Sequence, residues 1–207
     1  VKADELLHMV DKDSPYRKDI RGIYDIGNDI LASVDDMILL AKLESGRFEL
    51  EESNYAISDL AADISEFALQ ELADKDKSVK FFVELGEDVA DNLIGDVDKI
   101  RNILLRLIDN AIRYTKQGSI TLSVDSYEYT DHSHQDILNV VFTIADTGIG
   151  IQEERLDTLF ELYENEDAVK GSAYTGHGVG LAIAKGYAEI LHADLTVESV
   201  YGAGSTF

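Results

Sequence analysis

The sequence predicts an α+β fold: a two-layer sandwich of a mixed sheet with helices on one face, preceded by a long helix of a dimerisation bundle. Three observations carry this prediction. A heptad repeat of apolar residues opens the chain, strand-like segments then neighbour one another in sequence, and helical segments are interspersed among them. Strands that are adjacent in sequence with helices on one side indicate two layers around one core.

A long helix is predicted over residues 16–43, because apolar residues recur there in alternating steps of four and three. The repeat comprises Tyr16, Ile20, Ile23, Gly27, Ile30, Val34, Met37 and Ala41, and it is widened by Tyr24, Leu31 and Ile38. Such a width is typical of a bundle of more than two helices. The alternative is an amphipathic helix packed on its own domain; we favour the intermolecular bundle because no second long heptad segment follows. Ser45 and Gly46 are expected to end the helix, with Gly46 in a left-handed turn.

The rest of the chain alternates between strand and helix signals. Strands are expected at Phe48–Leu50, Val79–Leu85, Asn92–Ile94, Ser119–Tyr129, Ile137–Ala145, Leu195–Val200 and Ser205–Phe207. Helices are expected from Ile57 or Ser58 to Ala73 and at Asp96–Tyr114, Glu153–Phe160 and Val179–Leu191. We place the domain boundary near Gly46, between the segment 1–46 that carries the long helix and the domain 47–207. The chain is expected to end inside its last strand.

The composition excludes several classes of function. A formal charge of −23 repels nucleic acid and anionic lipid, so neither is expected as a partner. The absence of cysteine excludes disulfides, thiolate zinc sites and cysteine nucleophiles. No apolar run reaches the roughly 20 residues that a bilayer requires, so no direct membrane contact is expected. An anionic ligand such as a nucleotide would need Mg²⁺ or a helix N-terminus to offset this charge.

The segment VVFTIADTGIG, residues 140–150, places a carboxylate at the end of an apolar strand. Asp146 can accept a hydrogen bond from an exocyclic amine, and Gly148 and Gly150 allow a flat ligand to approach the backbone. Alone the signal is weak, because many strands end in an Asp-x-Gly turn.

The segment TGHGVGLAIAKG, residues 175–186, leads three glycines into a helix. Gly176, Gly178 and Gly180 leave backbone N–H groups free at a positive helix end, which suits phosphate. The spacing matches neither a Rossmann fingerprint nor a P-loop. A flexible hinge loop is the alternative.

The helical segment LLRLIDNAIRYT carries polar side chains on one face, since Asn110 lies one turn from both Arg106 and Arg113. An Asn amide oxygen is a hard ligand suited to Mg²⁺. Arg113 could hold phosphate and Tyr114 could stack on a base. A surface asparagine is the plain alternative.

The segment YGAGSTF, residues 201–207, is a glycine turn into the last strand. Thr206 could reach the edge of a base through a water molecule. An ordinary hairpin turn is the alternative.

Together these segments stand in the order and at the separations of the GHKL or Bergerat ATPase family, specifically its histidine kinases. DNAIRYT resembles the N box, DTGIG the G1 box, LFELYEN the F box, TGHGVGL the G2 box and GAGSTF the G3 turn. The stretch YRKDIRGIYDIGNDILASVDDMILLAKLESGRFEL resembles the second dimerisation helix and the linker strand behind it. The resemblance covers nearly the whole chain from Tyr16 onward.

The resemblance implies the catalytic core of a two-component sensor histidine kinase, with ATP and Mg²⁺ as cofactors. Asp146 would bind the adenine amine, Asn110 would hold Mg²⁺ and Arg113 would approach the phosphates. The nucleotide-binding residues would be Asn110, Arg113, Tyr114, Asp146, Gly148, Gly150, Gly176, Gly178, Gly180, Leu181 and Thr206. Residues 162–175 would form a mobile lid and Phe160 would brace its base.

The resemblance also implies partners and a location. The γ-phosphoryl group would pass to a histidine and then to an aspartate of a response-regulator receiver domain. The helical bundle would form a homodimer, and this part of the protein would be cytoplasmic, whether or not the parent is anchored in a membrane.

The five histidines do not include a convincing phosphoacceptor. His8 precedes Met-Val-Asp instead of the family's acidic residue, so the acceptor is expected upstream of this chain. His132 and His134 are interpreted as a solvated hairpin tip, since zinc sites require three or four fixed ligands. His177 lies in the glycine loop, and His192 lies where histidine often caps a helix.

Arg106 departs from the family, which carries an additional asparagine at this position. Arginine cannot accept a hydrogen bond or bind a metal, so it either contacts phosphate or marks a kinase of weak or lost activity. The alternative function is therefore a pseudokinase that uses the fold as a signalling scaffold. A third class, the ATP-hydrolysing clamps such as gyrase, Hsp90 and MutL, would require a glutamate in this helix to activate water.

Overall fold

The structure is a computed structural model and describes residues 6, 9–11, 14, 16–46, 48–75, 77–130, 136–161 and 178–207. Internal contacts divide the chain into two units, Val1–Arg47 and Phe48–Phe207, which are described separately. Among the helices of the described residues, none is both long and apolar enough to cross a membrane.

The first unit is dominated by one helix, α1 (Arg17–Glu44). Several apolar side chains of the predicted heptad face are exposed, including those of Ile23 (66% exposed) and Ile30 (59% exposed). Gly46 has φ +62°, and its N–H donates to Leu43 O at 3.1 Å, which confirms the predicted left-handed turn. The helix therefore presents an apolar face that its own unit does not cover.

The described residues of the second unit form four helices and seven strands. In chain order these are β1 (Ser53–Ala56), α2 (Ile57–Asp74), β2 (Ser78–Leu85), β3 (Asn92–Gly95), α3 (Val97–Tyr114), β4 (Gln117–Thr130), β5 (Asp136–Asp146), α4 (Glu153–Leu156), α5 (Gly180–Ile190), β6 (Glu198–Val200) and β7 (Gly204–Thr206).

The main sheet has the strand order β2-β4-β5-β7-β6. Strands β2 and β4 pair in parallel and the other neighbours are antiparallel, whereas β1 and β3 form a separate antiparallel pair. The mixed sheet and the α+β class are as predicted. The register places Asp146 opposite Ser205, so the end of β5 lies beside the start of β7.

The core lies between the main sheet and helices α2 and α3. Alternate residues of β4 face it because side chains on a strand alternate between faces. Its fully buried members include Ile64 on α2, Ile108 and Ile112 on α3, and Ile120 and Ile144 on the sheet. Both helices present one apolar stripe to the sheet, and the polar face of α3 remains available for other contacts.

The predicted strand at Phe48–Leu50 is wrong, since the first strand begins at Ser53. In this segment the described backbone hydrogen bonds are made with side chains and not with a neighbouring strand. Glu49 O accepts a hydrogen bond from Lys99 Nζ at 3.1 Å, and the Glu51 N–H donates to Asp96 Oδ2 at 2.9 Å.

Two other predicted elements are shorter than expected. The helix that starts at Glu153 ends at Leu156, followed by turns to residue 160. The strand predicted from Leu195 begins at Glu198, because Leu195 and Val197 pack against the core before any strand pairing starts.

Candidate nucleotide-binding site

The centre of the candidate site is the end of β5. The Asp146 carboxylate is half-buried there, and its Oδ1 accepts a hydrogen bond from the Gly148 N–H at 2.7 Å. Burial raises the pKa of Asp146, and hydrogen bonds from the N–H groups of Gly148 and Ser205 oppose this rise. The structure thus holds a carboxylate in a fixed orientation with reduced access to water.

The turn after Asp146 interlocks with the turn between β6 and β7. Gly150 has φ +66°, and a Cβ there would collide with the Val200 carbonyl. Gly204 has φ +124°, and a Cβ there would collide with the Asp146 carbonyl. Both positions therefore require glycine, for backbone conformation as well as for space.

The Ser199 hydroxyl stabilises the same junction. It accepts a hydrogen bond from the Ile151 N–H at 2.8 Å and donates to Gly204 O at 2.9 Å. The Gly202 N–H also donates to Ile149 O at 2.7 Å. These contacts fix the segment that carries Asp146 against the last hairpin.

The C-terminal end of α3 packs on the turn from the other side. The Ile149 N–H donates to Tyr114 O at 3.3 Å. A Cβ on Gly148 would lie 2.7 Å from Tyr114 O and 3.0 Å from the Thr115 hydroxyl. The absence of a side chain at Gly148 lets the end of the helix meet the turn.

Lys77 caps this end of α3 from outside the helix. Its ammonium donates to the carbonyl oxygens of Ile112, Arg113 (3.1 Å) and Thr115 (2.9 Å). The pKa of Lys77 is lowered, mainly by burial and next by repulsion from nearby cations, among which Lys75 has the largest effect. A positive cluster therefore complements the negative end of the helix dipole in a strongly acidic chain.

The two arginines on the predicted phosphate-facing side of α3 differ in their contacts. Arg113 forms an ion pair with Asp109 at 3.2 Å, and Asp109 also lies 3.4 Å from Lys75 Nζ. Arg106 instead extends towards α5: its Nη1 lies 3.9 Å from the position of a Cβ on Gly180. Among the described residues, the Arg106 guanidinium thus approaches the first residue of α5, whereas the Arg113 guanidinium pairs with a carboxylate of its own helix.

Gly180 is the first residue of α5, and Gly178 before it has φ +66°. Among the described residues, no side chain caps this helix start and no acidic residue lies in its first turn. Leu181 packs against the core and anchors the helix. The backbone N–H groups of the first turn are therefore suited to an anion.

The other predicted site residues have the following positions. Asn110 lies partly buried on α3, one turn after Arg106. Thr206 is exposed on β7 beside Ala145. Phe160 packs edge-on against Phe207 with centroids 6.5 Å apart.

Several predicted residues lie outside the described part of the chain. They are Gly176, the proposed lid at 162–175, and the histidines His8, His132, His134 and His177. His192 is described: at φ +55° it is the left-handed residue that ends α5, and its N–H donates to Glu189 O at 3.1 Å.

Sequence reasoning missed Lys77, Ser199, Ser205 and Thr115 as residues that shape the site. Lys77, Ser199 and Ser205 act through contacts with residues distant in sequence, and Thr115 lies beside Gly148 only in the folded protein, so no local pattern marks them. Gly202 and Gly204, which lie between the two serines, were the available signal for a tight turn there.

The donor set fits a Mg²⁺-bound nucleotide. Asp146 offers an acceptor for an amine, and the start of α5 offers N–H donors for phosphate. The Thr115 hydroxyl is fully buried beside Gly148 and has no hydrogen-bond partner among the described residues. Asn110 would be the ligand for Mg²⁺, with phosphates and water as the other ligands. The described residues contain no group of three or more His, Asp or Glu that could hold a metal ion by themselves.

The fold and this arrangement together define a Bergerat-type ATP-binding domain. Residues 95–207 match the model of the histidine kinase-, DNA gyrase B- and HSP90-like ATPase family. The chain belongs to this family, which confirms the family prediction.

Similar proteins are named as histidine kinases or as sensor proteins. The chain is 31% identical over 175 residues to the peroxide stress-activated histidine kinase mak2 of Schizosaccharomyces pombe, a match that covers 84% of this chain and 8% of mak2. It is 33% identical over 174 residues to the aerobic respiration control sensor protein ArcB of Escherichia coli, covering 84% of this chain and 21% of ArcB. The chain thus spans a small part of the curated relatives it matches.

Among solved structures, full-length ShkA in complex with AMPPNP superimposes with a TM-score of 0.77 at 22% identity, covering 98% of this chain and 40% of that chain. The catalytic domain of the histidine kinase ThkA superimposes with a TM-score of 0.58 at 21% identity, covering 76% of this chain and 92% of that chain. At these identities the likeness concerns the fold, and it confirms the predicted fold class.

Proposed function

We propose that this chain is the ATP-binding core of a two-component sensor histidine kinase. The observation that carries the proposal is the Asp146 carboxylate, half-buried at the end of β5 and held in a fixed orientation by the Gly148 N–H, beside glycine turns that pack tightly on the end of α3 and on the last hairpin. Membership in the ATPase family and the names of the relatives support ATP as the nucleotide.

In this proposal each element of the site has one task. Asp146 accepts a hydrogen bond from the adenine amine and so selects adenine over guanine, which presents a carbonyl at that position. Asn110 holds Mg²⁺, and the N–H groups at the start of α5 bind the phosphates. Mg²⁺ supplies charge neutralisation when bound, and the residues of the chain position the γ-phosphoryl group for in-line transfer.

The acceptor is a histidine outside this chain, and the phosphoryl group passes from it to an aspartate of a receiver domain. The exposed apolar face of α1 is the proposed dimerisation surface, because a heptad face of this length requires a partner helix. We place this part of the protein in the cytoplasm. The pseudokinase alternative gains no support, since Arg106 lies where a cation can serve phosphate binding.

Substitution of Asp146 tests the nucleotide assignment. Asp146→Asn is expected to weaken ATP binding tenfold or more, because a charged hydrogen bond contributes about 1.5–3 kcal/mol. Wild-type affinity should also fall in acid as Asp146 is protonated, and this loss should begin at higher pH than for an ordinary aspartate because its pKa is raised. Calorimetric titration with ATP and GTP across pH measures both effects.

The matched control is Asp125→Asn, which makes the same change at an exposed position of the neighbouring strand β4 and should leave ATP affinity unaltered. Equal ATP affinities for the wild type and Asp146→Asn would refute the adenine assignment.

Phosphotransfer is measured separately with γ-labelled ATP. Acid-labile label should appear on a histidine of the whole protein. Its appearance on His8 of this chain would contradict our placement of the acceptor.

A further inference from the structure

The strand β2 forms one edge of the main sheet. Among the described residues it pairs with β4 alone, and that pairing is parallel. The Gly86 N–H, which continues the register, donates to Val124 O at 2.8 Å. Because backbone groups alternate between the two edges of a strand, those of the even-numbered residues of β2 face β4 and those of the odd-numbered residues point away from it. The sheet edge therefore presents a row of donors and acceptors with which another strand can pair.

Three side chains of β2 lie on the face of the sheet that the helices do not cover. Val79 and Phe81 pack against the core. Because side chains alternate along a strand, Lys80, Phe82 and Glu84 lie on the opposite face. Phe82 is 47% exposed there, and the two charges of opposite sign flank it symmetrically. A charged residue on an edge strand usually discourages pairing with another strand, but β2 carries both members of a complementary pair.

We propose that β2 is a self-association surface, on which a second copy of this chain pairs in the antiparallel direction about a two-fold axis through Phe82. This inference goes beyond the proposed function and does not depend on it. In this register Lys80 of each copy lies opposite Glu84 of the other copy, and the two Phe82 side chains lie opposite each other. The pairing therefore joins two opposite-charge pairs and one aromatic pair on one face of a continuous sheet.

The backbone of β2 is compatible with this register. Odd-numbered residues, whose N–H and C=O groups point to the free edge, lie opposite odd-numbered residues and form the hydrogen-bonded pairs. Lys80, Phe82 and Glu84 occupy the other positions, where side chains on facing strands approach most closely. A register displaced by two residues would place Lys80 opposite Phe82 or Gly86 instead. The charges thus select one register among those that the backbone allows.

The charge pattern favours a second copy over an unrelated strand. An unrelated strand would need a base and an acid at the same spacing and in the complementary order, which an antiparallel copy of β2 supplies by symmetry. The net charge of −23 opposes association at long range, but at physiological ionic strength this repulsion is screened beyond about 8 Å, whereas pairs in contact are screened less. β2 belongs to the second unit and α1 to the first, so this surface is distinct from the proposed dimerisation face of α1.

Single cysteines test the register directly, because the chain contains no cysteine of its own. In the proposed pair the two Cα atoms of residue 82 lie about 4.5 Å apart, within the range that a disulfide spans. Most of Phe82→Cys should therefore become a disulfide-linked dimer on oxidation, as measured by electrophoresis without reductant. Lys80→Cys alone should not, because its two copies would lie about 13 Å apart. A mixture of Lys80→Cys and Glu84→Cys should form the mixed disulfide.

Tyr201→Cys is the matched control for these cysteines. It replaces an exposed aromatic residue in the hairpin at the opposite edge of the same sheet, and it should give only the dimer that arises from random collisions. Equal yields of dimer from Phe82→Cys and Tyr201→Cys would overturn the proposal. Equal yields from Phe82→Cys and Lys80→Cys would overturn the register on which it rests.

Charge exchange is a second test, and it leaves Phe82 in place. Lys80→Glu and Glu84→Lys each place like charges opposite one another at both positions, so each should raise the dissociation constant of this step about tenfold. An equimolar mixture of the two variants restores opposite charges and should associate as the wild type does. Sedimentation velocity measures both effects, and association through α1 is common to every variant.

Glu198→Lys is the matched control for charge, since it changes the net charge as Glu84→Lys does but lies at an exposed position of β6, the opposite edge strand. It should leave association unchanged. Single variants that associate as the wild type does would refute the proposal. A mixture of Lys80→Glu and Glu84→Lys that associates no more strongly than either variant alone would refute it as well.

Discussion

The two ends of helix α3 are built in opposite ways. At its start, Asp96 is 3% exposed and accepts hydrogen bonds from the N–H groups of Lys99 and Glu51, and the Lys99 ammonium pairs with its carboxylate. Towards its other end, Arg106 reaches to α5 and the Thr115 hydroxyl has no partner among the described residues. The start satisfies its polar groups within the protein; at the other end Lys77 caps the carbonyl oxygens, but the Thr115 hydroxyl is left without a partner among the described residues. Substitutions at the start should therefore cost the most stability, and substitutions near the other end should cost less or even increase it.

The largest effect is expected from Asp96→Ala, which breaks the closed end of α3. It removes the helix cap and leaves the buried Lys99 ammonium without its carboxylate, so the free energy of unfolding should fall by about 3–5 kcal/mol. Chemical denaturation monitored by circular dichroism measures this. Asp98→Ala, which breaks the exposed pair with Arg101 on the same turn, should cost under about 1 kcal/mol.

The acid dependence of the wild type gives a second readout of the same pair. Burial alone would raise the pKa of Asp96, but hydrogen bonds and charge from Lys99 and the Glu51 N–H leave it lowered. A carboxyl group whose pKa is lower in the folded protein than in the unfolded chain stabilises the fold at pH values above its unfolded-state pKa. This stabilisation is lost as the pH falls through the folded-state pKa. The Asp96→Ala variant should therefore lose less stability than the wild type in that acidic range. Equal losses would show that Asp96 contributes little to the acid dependence.

A smaller effect is expected from Lys77→Met, which removes the cap from the other end of α3. Three carbonyl oxygens lose their charged donor, and relief of repulsion from neighbouring cations offsets part of the cost, so about 1–2 kcal/mol of stability should be lost. Lys80→Met, on the exposed side of β2, is the matched control. Because Lys77 holds the end of α3 against the turn after Asp146, adenosine affinity should fall as well. Lost stability with unaltered adenosine affinity would show that the Lys77 cap stabilises α3 without contributing to the candidate site.

The smallest effect, of opposite sign, is expected from Thr115→Val. Burying a hydroxyl without a partner costs free energy, so the isosteric valine should increase the stability of the free protein by about 1 kcal/mol. Thr147→Val is the matched control, because that hydroxyl hydrogen-bonds to the Ser119 N–H at 2.9 Å and to Ser119 O at 3.3 Å, so its loss should be destabilising. Destabilisation of both variants to the same degree would show that the Thr115 hydroxyl is satisfied in the folded protein.

Local patterns in the sequence were sufficient for most of the fold. The apolar periodicity placed α2 and α3, and the alternation in β4 and β5 placed the strands that deliver Asp146. Phe48–Leu50 was misassigned because its backbone is bound by Asp96 and Lys99, which lie far along the chain. A strand-like composition cannot reveal that the backbone hydrogen bonds of a segment are taken by side chains.

The candidate site was predictable as a set of segments but not as a set of contacts. Glycines and the strand-end aspartate mark the turns, since few other residues tolerate such backbone approach. The pairing of Arg113 with Asp109 is a contact between residues one turn apart on the same helix, which helical spacing can predict. The reach of Arg106 to Gly180 depends on how α3 packs against α5, so only tertiary structure reveals it.

The parallel pairing of β2 with β4 has a consequence for the kinetics of folding. Ser78 pairs with Gln117, and the intervening chain includes β3 and all of α3. The unfolded chain must close this long loop, at a cost in entropy, before hydrogen bonds between β2 and β4 can stabilise the pair. The pairing is therefore a slow step compared with the formation of α1. Arg106 and Asn110 lie within the loop, so the proposed phosphate side of the site forms only when the crossover closes. A nucleotide bound there would stabilise the closed crossover and slow its opening. The lifetime of the folded sheet would therefore depend on nucleotide concentration.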